Sequence, residues 1–261
     1  MTGRAANPGS PGAVEGLTGT TALVTGASRG FGRAIATALS GVGAHVVGVA
    51  RDQARLDDLR DELGDTFTPV VAEATDPDTA ARLIGEHRPH TLVLNAGAAP
   101  LLRPLHHQTW ETFSRNWEVD VQQVFHWVRE ALLRPLLPGS TVITMSSGAA
   151  INGSPLSGGY AGAKATIGFM TSYAAAESKR EGLGITFASV LPKLTPATEL
   201  GASGVAAYAE RQGVDLGSFL EALGSTLTRE QVGTSVVDLA AGHHLHQDTY
   251  LLTPTGLAPL G

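Results

Sequence analysis

The sequence predicts an α/β fold, a doubly wound parallel sheet of about seven strands with about six flanking helices. Short apolar runs alternate along the chain with longer amphipathic or Ala-rich stretches, and nearly continuous apolar runs are typical of parallel strands that are buried on both faces. In addition, 32 of the 261 residues are glycine and only 5% are aromatic. This composition favours close packing of helices on a sheet over an all-β sandwich.

Seven apolar runs, predicted as strands, set the order of the elements: 21–25, 45–49, 67–72, 91–94, 141–145, 185–191 and 250–252. Helices are predicted between these strands. The first ends near residue 42 and the third begins at residue 77. The others are predicted over 52–63 and over about 108–133, 158–179 and 228–241. Two helices begin at recognisable caps. Asp76 precedes a first-turn proline, and Thr228 stands three residues before a glutamine, as in a capping box.

One domain is predicted to cover residues 17–261. Residues 1–16 are rich in Gly, Pro and Ala and lack the apolar core of a secretion signal, so we expect a disordered leader. The segment 192–227 breaks the alternation of strands and helices and contains a short predicted helix at 218–223. Because long structured insertions in compact domains are often lids, we expect a substrate lid there.

Composition and charge narrow the class of partner. The net charge is -6 and no basic block occurs, so we expect no nucleic-acid partner. The chain has no cysteine for a thiolate metal site, and His243, His244 and His246 lack partners at ligand spacing, so we expect no metal. No apolar run approaches the roughly 20 residues of a membrane span, and we therefore expect a cytoplasmic protein with no membrane partner.

A glycine-rich turn joins the first predicted strand to the first predicted helix, with Gly26, Gly30 and Gly32 as its glycines. One glycine permits the tight turn, one lets the backbone approach a pyrophosphate, and one lets the helix pack on the strand. The helix N-terminus then presents N–H groups and the positive end of its dipole to the anion. The turn, which also contains Ser28 and Phe31, is therefore a predicted cofactor site; the alternative is a glycine-rich turn without a ligand.

The spacing of these glycines resembles the cofactor fingerprint of the short-chain dehydrogenases/reductases. Three further elements of that family follow in its order: Asn95-Ala96-Gly97 after the fourth strand, Tyr160 and Lys164 as the Y-x-x-x-K pair, and Ser147 thirteen residues before the tyrosine. Together the four elements cover nearly the whole chain from about residue 17 onwards.

The resemblance implies a Rossmann-type fold, a nicotinamide cofactor and a small-molecule carbonyl or alcohol substrate. The chain looks like the NADP-preferring type, which includes 3-oxoacyl reductases and ketoreductases. The resemblance also implies that Asn95, Ala96 and Gly97 help to bind the cofactor. Finally, it implies a homodimer or homotetramer formed through the helices that hold Asp120 and Tyr160.

The residues that follow the second strand predict NADP(H) as the cofactor. NAD-preferring enzymes place an acid there for the ribose 2′-hydroxyl, whereas this chain has Ala50 followed by Arg51. A guanidinium pairs with a 2′-phosphate that a carboxylate would repel, and Arg29 in the glycine turn supplies a second cation. The alternative for each arginine alone is a solvated surface charge. Glu73, which is followed by Ala74, either accepts a hydrogen bond from the adenine amino group or is a solvated acid on the surface.

Tyr160 and Lys164 lie four residues apart near the start of a predicted helix, so their side chains share one face. A nearby ammonium favours phenolate over phenol, which makes Tyr160 the predicted general acid/base of a hydride transfer. Ser147 is predicted to hydrogen-bond the same substrate oxygen, with Ser146 as its competitor. Lys164 is also predicted to hold the ribose of the nicotinamide.

The chain departs from the family pattern in the long helix before the fifth strand. Asp120 and Gln123 stand where the family has an asparagine and a glycine, and the resemblance implies that the asparagine helps to hold a water that joins the lysine to solvent. If the backbone carbonyl does this, Asp120 keeps the function. If the side chain matters, a carboxylate near Lys164 changes the relay and its pH dependence. We count Asp120 among the predicted catalytic residues.

A second departure follows the sixth strand. The family has Pro-Gly there and, a few residues later, a threonine that contacts the carboxamide of the nicotinamide. In this chain Pro192 is followed by Lys193, and the threonine is either Thr195 or Thr198. Pro192 and Thr195 are the predicted cofactor contacts in this stretch. The family's Asp-Gly-Gly near the C-terminus is also missing, and these changes affect the substrate side more than the cofactor side.

Three functions remain open at the level of the sequence, and one of them is transient hydride transfer within the same fold, as in epimerases or dehydratases. Ser147, Tyr160 and Lys164 together favour an NADP(H)-dependent oxidoreductase that interconverts a ketone and a secondary alcohol. The departures at Asp120 and Lys193 favour a catalytically weak relative that binds nucleotide as a sensor or as an assembly partner. Cofactor binding without turnover of any carbonyl compound would support the catalytically weak relative.

Overall fold

The computed structural model describes residues 16–243 and 247–260, which form one eight-stranded sheet with helices on both faces. The leader predicted at 1–16 lies outside the described residues except for Gly16. His244 and His246, two members of the C-terminal histidine cluster, also lie outside them.

The strands are β1 Thr21–Thr25, β2 His45–Ala50, β3 Phe67–Val71, β4 Thr91–Leu94, β5 Thr141–Met145, β6 Thr186–Pro192, β7 Thr249–Thr253 and β8 Gly256–Pro259. Their order in the sheet is β3-β2-β1-β4-β5-β6-β7-β8, and every neighbouring pair is parallel except β7 and β8. The predicted fold class is confirmed. The described part of the chain has one strand more than predicted, because β8 is a four-residue edge strand whose proline gives no strand signal.

The α-helices of the described residues are α1 Gly30–Gly41, α2 Gln53–Leu63, α3 Pro77–His87, α4 Trp110–Asn116, α5 Gln122–Leu133, α6 Ala149–Asn152, α7 Gly159–Glu181, α8 Glu199–Gln212, α9 Leu216–Leu223 and α10 Arg229–Ala240. Both predicted caps are confirmed: Asp76 accepts from the N–H groups of Asp78 and Thr79, and Thr228 forms a capping box with Gln231. None of the described helices has the length and apolar character needed to cross a membrane.

The helices outnumber the predicted six for two main reasons. The helix expected over 108–133 is divided into α4, a π-helical turn at Trp117–Val121, and α5. The segment 192–227 contains α8 in addition to α9, whose position was predicted. The apolar positions of α8 are mostly alanine, which hides its amphipathic period, but its ends carry ordinary signals. Thr198 accepts from the N–H of Gly201 at its start, and Gly213 is left-handed at its end.

The sheet is buried on both faces, because successive side chains of a strand point to opposite layers. Ala22 and Val24 of β1 belong to the core that α1 and α10 cover, whereas Leu23 belongs to the core that α3, α5 and α7 cover. A third, small cluster around Val205 and Phe219 joins α8 to α9. The segment 192–227 therefore carries packing of its own.

The carboxyl ends of the central strands meet at one edge of the sheet. Thr25 pairs with Leu94, and Leu94 pairs with Thr144 in the next strand. The strand order reverses between β1 and β4, and open α/β sheets bind ligands in the crevice at such a point. The loops that follow β1, β4, β5 and β6 therefore border the candidate site.

Candidate functional site

The turn between β1 and α1 is packed so closely that two of its glycines have no room for a side chain. A Cβ on Gly32 would overlap the carbonyl oxygen of Gly26, and a Cβ on Gly26 would lie 2.9 Å from the Cα of Ala96. Gly30, in contrast, has a φ of +57° and faces open space, in which a methyl group of Thr198, 3.7 Å from the position of a Cβ, is the nearest atom. The turn is thus supported from below and faces a groove above.

The first turn of α1 has no side-chain cap, since the N-cap residue Arg29 makes no capping hydrogen bond. The N–H groups of this turn therefore keep their capacity to bind an anion. Together with the close packing of Gly26 and Gly32, this geometry fits the pyrophosphate of a dinucleotide. Ser28 is buried within the turn, and Phe31 packs against the core beneath α1.

A buried hydrogen-bond network joins the ends of β1 and β4. The hydroxyl oxygen of Thr25 accepts from the backbone N–H groups of Asn95 at 3.0 Å and Ala96 at 3.1 Å. The same hydroxyl donates to Gln123 Oε1 at 3.0 Å, and Gln123 Nε2 donates to the carbonyl of Ala96 at 3.0 Å. Asn95 Nδ2 donates to the carbonyl of Gly26 at 3.3 Å. Gln123, which stands in place of the family's glycine, therefore supports the glycine turn, a role that only the structure assigns.

Three arginines lie at the outer end of the glycine turn, and each is close to a carboxylate. Arg29 Nη1 lies 2.6 Å from Glu199 Oε2, and Arg55 Nη1 lies 3.7 Å from Glu199 Oε1. Arg51 Nε lies 3.5 Å from Glu73 Oε1. All five side chains are more than 40% exposed, so these pairs contribute little to stability and can separate when an anion binds.

The sequence did not point to Glu199 or Arg55 as part of this cluster. Glu199 is the first residue of α8, directly after the cap Thr198. In the sequence this position indicates only the start of a helix. The contact of Glu199 with Arg29, in contrast, joins two residues that are 170 positions apart in the chain. Such a pairing follows from how the segment 192–227 folds over the glycine turn, and no local pattern announces it.

The remaining predicted cofactor residues lie at or just after the carboxyl ends of β3 and β6. The carbonyl of Ala74 accepts from Trp127 Nε1 at 2.8 Å, and the carbonyl of Pro192 accepts from the N–H of Gly148 at 2.9 Å. The buried hydroxyl of Thr195 donates to the carbonyl of Leu227 at 2.5 Å, which ties together the two ends of the segment 192–227. Of the two candidate threonines, Thr198 is the one that lies beside Gly30 of the glycine turn.

Two hydrogen bonds fix the first turns of α7 against the end of β5. Lys164 Nζ donates to the carbonyl of Met145 at 3.0 Å, and the hydroxyl of Ser146 donates to the backbone carbonyl of Lys164 at 2.7 Å. The buried hydroxyl of Ser146 is therefore used within the fold. Ser147 is half-buried, and its oxygen accepts from the N–H of Ala149 at 3.2 Å, so its proton remains for another acceptor.

Glycines allow the start of α7 to lie directly against α4. A Cβ on Gly159 would overlap the carbonyl oxygen of Phe113, and one on Gly158 would lie 3.1 Å from the Phe113 ring. The half-buried side chain of Tyr160 follows these two glycines. The close approach of α4 thus places the tyrosine at the same end of the sheet as the loop that carries Ser147.

Lys164 lies between the phenol and a buried carboxylate. Its Nζ is 5.6 Å from the centre of the Tyr160 ring and 3.2 Å from Asp120 Oδ2, and the Lys164 and Asp120 side chains are only 7% and 1% exposed. Burial lowers the pKa of Lys164, but the attraction of Asp120 and of Tyr160, together with the contact to Asp120, outweighs this effect and raises the pKa above its ordinary value. Lys164 is therefore an ammonium at neutral pH.

The Asp120 carboxylate is held from a second side as well. Its Oδ1 accepts from the N–H of Ala98 at 2.8 Å and lies 3.4 Å from the amide nitrogen of Asn116. A Cβ on Gly97 would lie 2.9 Å from Asp120 Oδ2, so a side chain at this place would displace the carboxylate. Asp120 belongs to the π-helical turn between α4 and α5, and such turns are frequent at functional sites.

No group of three or more metal-ligating side chains occurs among the residues that the structure describes, which include His243 but not His244 or His246. His243 Nδ1 lies 3.8 Å from Asp238 Oδ1, at the end of α10.

Comparisons with known proteins identify the family to which the chain is related. A family model described as short chain dehydrogenase matches residues 20–208. L-xylulose reductase of Homo sapiens is 38% identical over 129 residues, which are 48% of this chain and 52% of that protein. Carbonyl reductase (NADPH) 2 of Sus scrofa is 34% identical over 129 residues, with the same coverage of each chain. The chain thus spans about half the length of these two relatives.

Two further comparisons extend over more of the chain. A short chain dehydrogenase of Pseudocercospora fijiensis is 32% identical over 199 residues, which are 71% of this chain and 62% of that protein. The crystal structure of 3-ketoacyl-(acyl-carrier-protein) reductase from Brucella melitensis complexed with NADH superposes with a TM-score of 0.71 and covers 86% of this chain and 91% of that chain. Its 22% identity shows a shared fold alone.

The packing of the glycine turn predicts opposite effects for two Gly→Ala variants of α1. Gly32→Ala would force a methyl group against the Gly26 backbone, and we expect it to lower the free energy of unfolding by about 1–3 kcal/mol and to abolish dinucleotide binding. Gly41→Ala, where a Cβ meets nothing within 4 Å, should leave stability unchanged or raise it by about 0.5–1 kcal/mol. Urea unfolding of both variants measures their free energies of unfolding, and an equal loss of stability in the two variants would contradict the packing argument.

Proposed function

Since the chain belongs to the short-chain dehydrogenase family, we propose that it is an NADP(H)-dependent oxidoreductase that interconverts a ketone and a secondary alcohol. The observation that most supports this is the anchoring of Lys164 to the end of β5, beside Tyr160 and next to the loop of Ser147. The names of two relatives, L-xylulose reductase and carbonyl reductase (NADPH) 2, support the same reaction class and, in the second case, the same cofactor.

Each of the three polar side chains has one task in the proposed mechanism. The nicotinamide, when bound, supplies or accepts the hydride. In reduction the Tyr160 hydroxyl donates its proton to the carbonyl oxygen, and in oxidation the phenolate accepts the proton of the alcohol. The Ser147 hydroxyl donates a hydrogen bond to the same oxygen and orients it. The Lys164 ammonium holds the ribose hydroxyls and stabilises charge on the phenol oxygen.

The cofactor site that we infer follows the crevice from the glycine turn to β6. The glycine turn and the start of α1 bind the pyrophosphate, and Asn95, Ala96 and Gly97 line the wall after β4. Arg29 and Arg51 bind the 2′-phosphate, with Glu73 and Ala74 beside the adenine. Pro192 and either Thr195 or Thr198 lie at the nicotinamide end. Because Arg29 contacts Glu199, this carboxylate would have to move away for Arg29 to bind a 2′-phosphate.

The segment 192–227 is, in our proposal, the substrate lid of a domain that covers residues 17–261. Its own small core and the hydrogen bond from Thr195 to the carbonyl of Leu227 allow it to move as a unit. Leu194 and Phe219 pack in that core, whereas Leu200 is 39% exposed near the start of α8. An apolar side chain at this place favours a fairly hydrophobic carbonyl compound as the substrate.

The Tyr160→Phe variant tests the proposed mechanism. We expect the turnover of a panel of ketones, measured as the rate of NADPH oxidation, to fall by about 10²–10⁴-fold because the phenol proton is lost. The binding of NADPH, measured by fluorescence, should stay within about twofold because the aromatic ring is kept. The matched control is Tyr173→Phe, which removes a hydroxyl from an exposed side chain of the same helix. Near-normal turnover by Tyr160→Phe would remove this residue from the mechanism. NADPH binding by the unsubstituted protein without turnover of any ketone would support a nucleotide-binding relative instead.

The Arg51→Asp variant tests the choice of cofactor. We expect the Kd for NADPH to rise by roughly 10–100-fold and the Kd for NADH to change far less, because the lost interaction is a charge-assisted hydrogen bond to the 2′-phosphate. Arg82→Asp is the control, since Arg82 is also an exposed, ion-paired arginine but lies on α3. Equal losses for the two cofactors would refute the assignment to NADP(H).

An exposed apolar surface on α5 and α7 supports the proposed homodimer or homotetramer. Phe125 on α5 is 51% exposed, and on α7 the exposed rings of Phe169 and Tyr173 lie 6.4 Å apart. Exposed apolar side chains of this kind mark interfaces. We expect Phe125→Ser combined with Phe169→Ser to shift the mass in light scattering to that of a monomer. The control Leu105→Ser changes an apolar residue that is even more exposed, at 68%, and lies outside these helices. An unchanged mass of the double variant would place the interface elsewhere.

A further inference from the structure

A buried ion pair between Asp120 and Lys164 lies beside the proposed acid/base Tyr160. The carboxylate is 1% exposed and is aimed by two elements, through the N–H of Ala98 and the amide of Asn116, so that its second oxygen lies 3.2 Å from Lys164 Nζ. A single buried charge is costly, and the two opposite charges here compensate each other.

The other elements around the ammonium add no further charge. β5 presents the Met145 carbonyl to it, and β6 and α6 contain no ionisable side chain. The charged residues of α4 and of the π-helical turn other than Asp120, namely Glu111, Arg115 and Glu118, are exposed to water. On α5, Arg129 and Glu130 pair with each other, and the half-buried His126 interacts with Asp76 at the start of α3. Lys193, which directly follows β6, is exposed to water. The buried charges beside Tyr160 are thus those of Lys164 and Asp120.

A lone ammonium and an ammonium paired with a carboxylate act differently on a phenol. The field of a net positive charge favours the phenolate, whereas the field of a neutral pair falls off much more steeply with distance. The raised pKa of Lys164 shows that the ammonium itself stays charged throughout the neutral range. The net charge of the Lys164–Asp120 pair in the neutral range therefore depends on the carboxylate, because the lysine does not lose its proton there.

We propose that Asp120 is a positioning residue that compensates the charge of Lys164, weakens the stabilisation of the Tyr160 phenolate by that ammonium and thereby sets the site for carbonyl reduction. In that direction the phenol O–H bond breaks, the substrate O–H bond forms, hydride from the cofactor reaches the carbonyl carbon, and solvent returns a proton to the phenolate. The alcohol oxidation needs the phenolate at the start. The assignment of direction rests on the proposed function, whereas the effect of Asp120 on the phenol does not.

The Asp120→Asn variant tests this proposal, because it keeps the shape of the side chain and removes its charge. Without the carboxylate charge, the ammonium should favour the phenolate more strongly. We therefore expect the acid limb of the pH profile for oxidation to move to lower pH by about one unit or more, which is the usual size of such a charge effect. The alkaline limb of the pH profile for reduction should move by the same amount. At neutral pH the oxidation should accelerate about tenfold for one unit. A merely structural role would lower both rates without moving the profiles.

A spectroscopic titration gives a second readout that requires neither substrate nor cofactor. The ultraviolet absorbance of tyrosinate is followed against pH, and the difference between each protein and its Tyr160→Phe counterpart isolates this one phenol among the four tyrosines. In the Asp120→Asn background the difference signal should appear at lower pH. The control is Glu118→Gln, which makes the same chemical change in the same turn on an exposed carboxylate and should leave the signal in place.

Three results would overturn the proposal. The first is an unmoved tyrosinate signal in a folded Asp120→Asn protein, and the second is an equal shift in the Glu118→Gln control. The third needs no Asp120 variant at all: a Tyr160 tyrosinate signal already present at neutral pH in the unsubstituted protein. If the protein reduces no carbonyl compound, the proposed function fails, while the titration still decides whether Asp120 controls the phenol.

Discussion

The anchoring of Lys164 is the interaction on which the site depends. Its ammonium contacts the Met145 carbonyl at the end of β5 and the Asp120 carboxylate in the π-helical turn, while its own backbone carbonyl accepts from Ser146. One residue thus joins a central strand, the helix that carries Tyr160 and the helical region before α5. Because these contacts are buried, water does not compete for them, and the positions of the phenol and of the Ser147 loop are fixed together.

A second buried network does the same for the nucleotide end of the crevice. Thr25 and Gln123 hold the ends of β1 and β4 at a fixed separation, and the missing side chains of Gly26 and Gly32 allow the turn to sit on this support. The two networks meet in the loop after β4, where Ala96 is bound by Gln123 and Ala98 by Asp120. The proposed pyrophosphate site and the proposed proton-transfer site are therefore parts of one hydrogen-bonded framework.

The outer parts of the crevice are held by weaker interactions. The ion pairs of Arg29 and Arg51 are exposed, and the segment 192–227 contacts the glycine turn through Thr198 and Glu199. Exposed ion pairs contribute little to stability because water and salt screen them. A rigid inner framework with a loosely held rim suits a site that must admit and release a cofactor and a small substrate.

The sequence by itself determined the fold class, seven strands close to their observed bounds, both helix caps and the set of residues proposed for catalysis. These features follow from local patterns, because apolar runs, caps and glycine turns depend on neighbours a few residues apart. It did not reveal α8, whose alanine-rich face has a weak period, nor β8, which is short and lies at an edge. Only the tertiary structure showed that Gln123 supports the glycine turn, that Glu199 reaches Arg29 and that Asp120 pairs with Lys164. Those contacts join residues far apart in the chain, and their distances are set by how helices pack on the sheet, which no local pattern records.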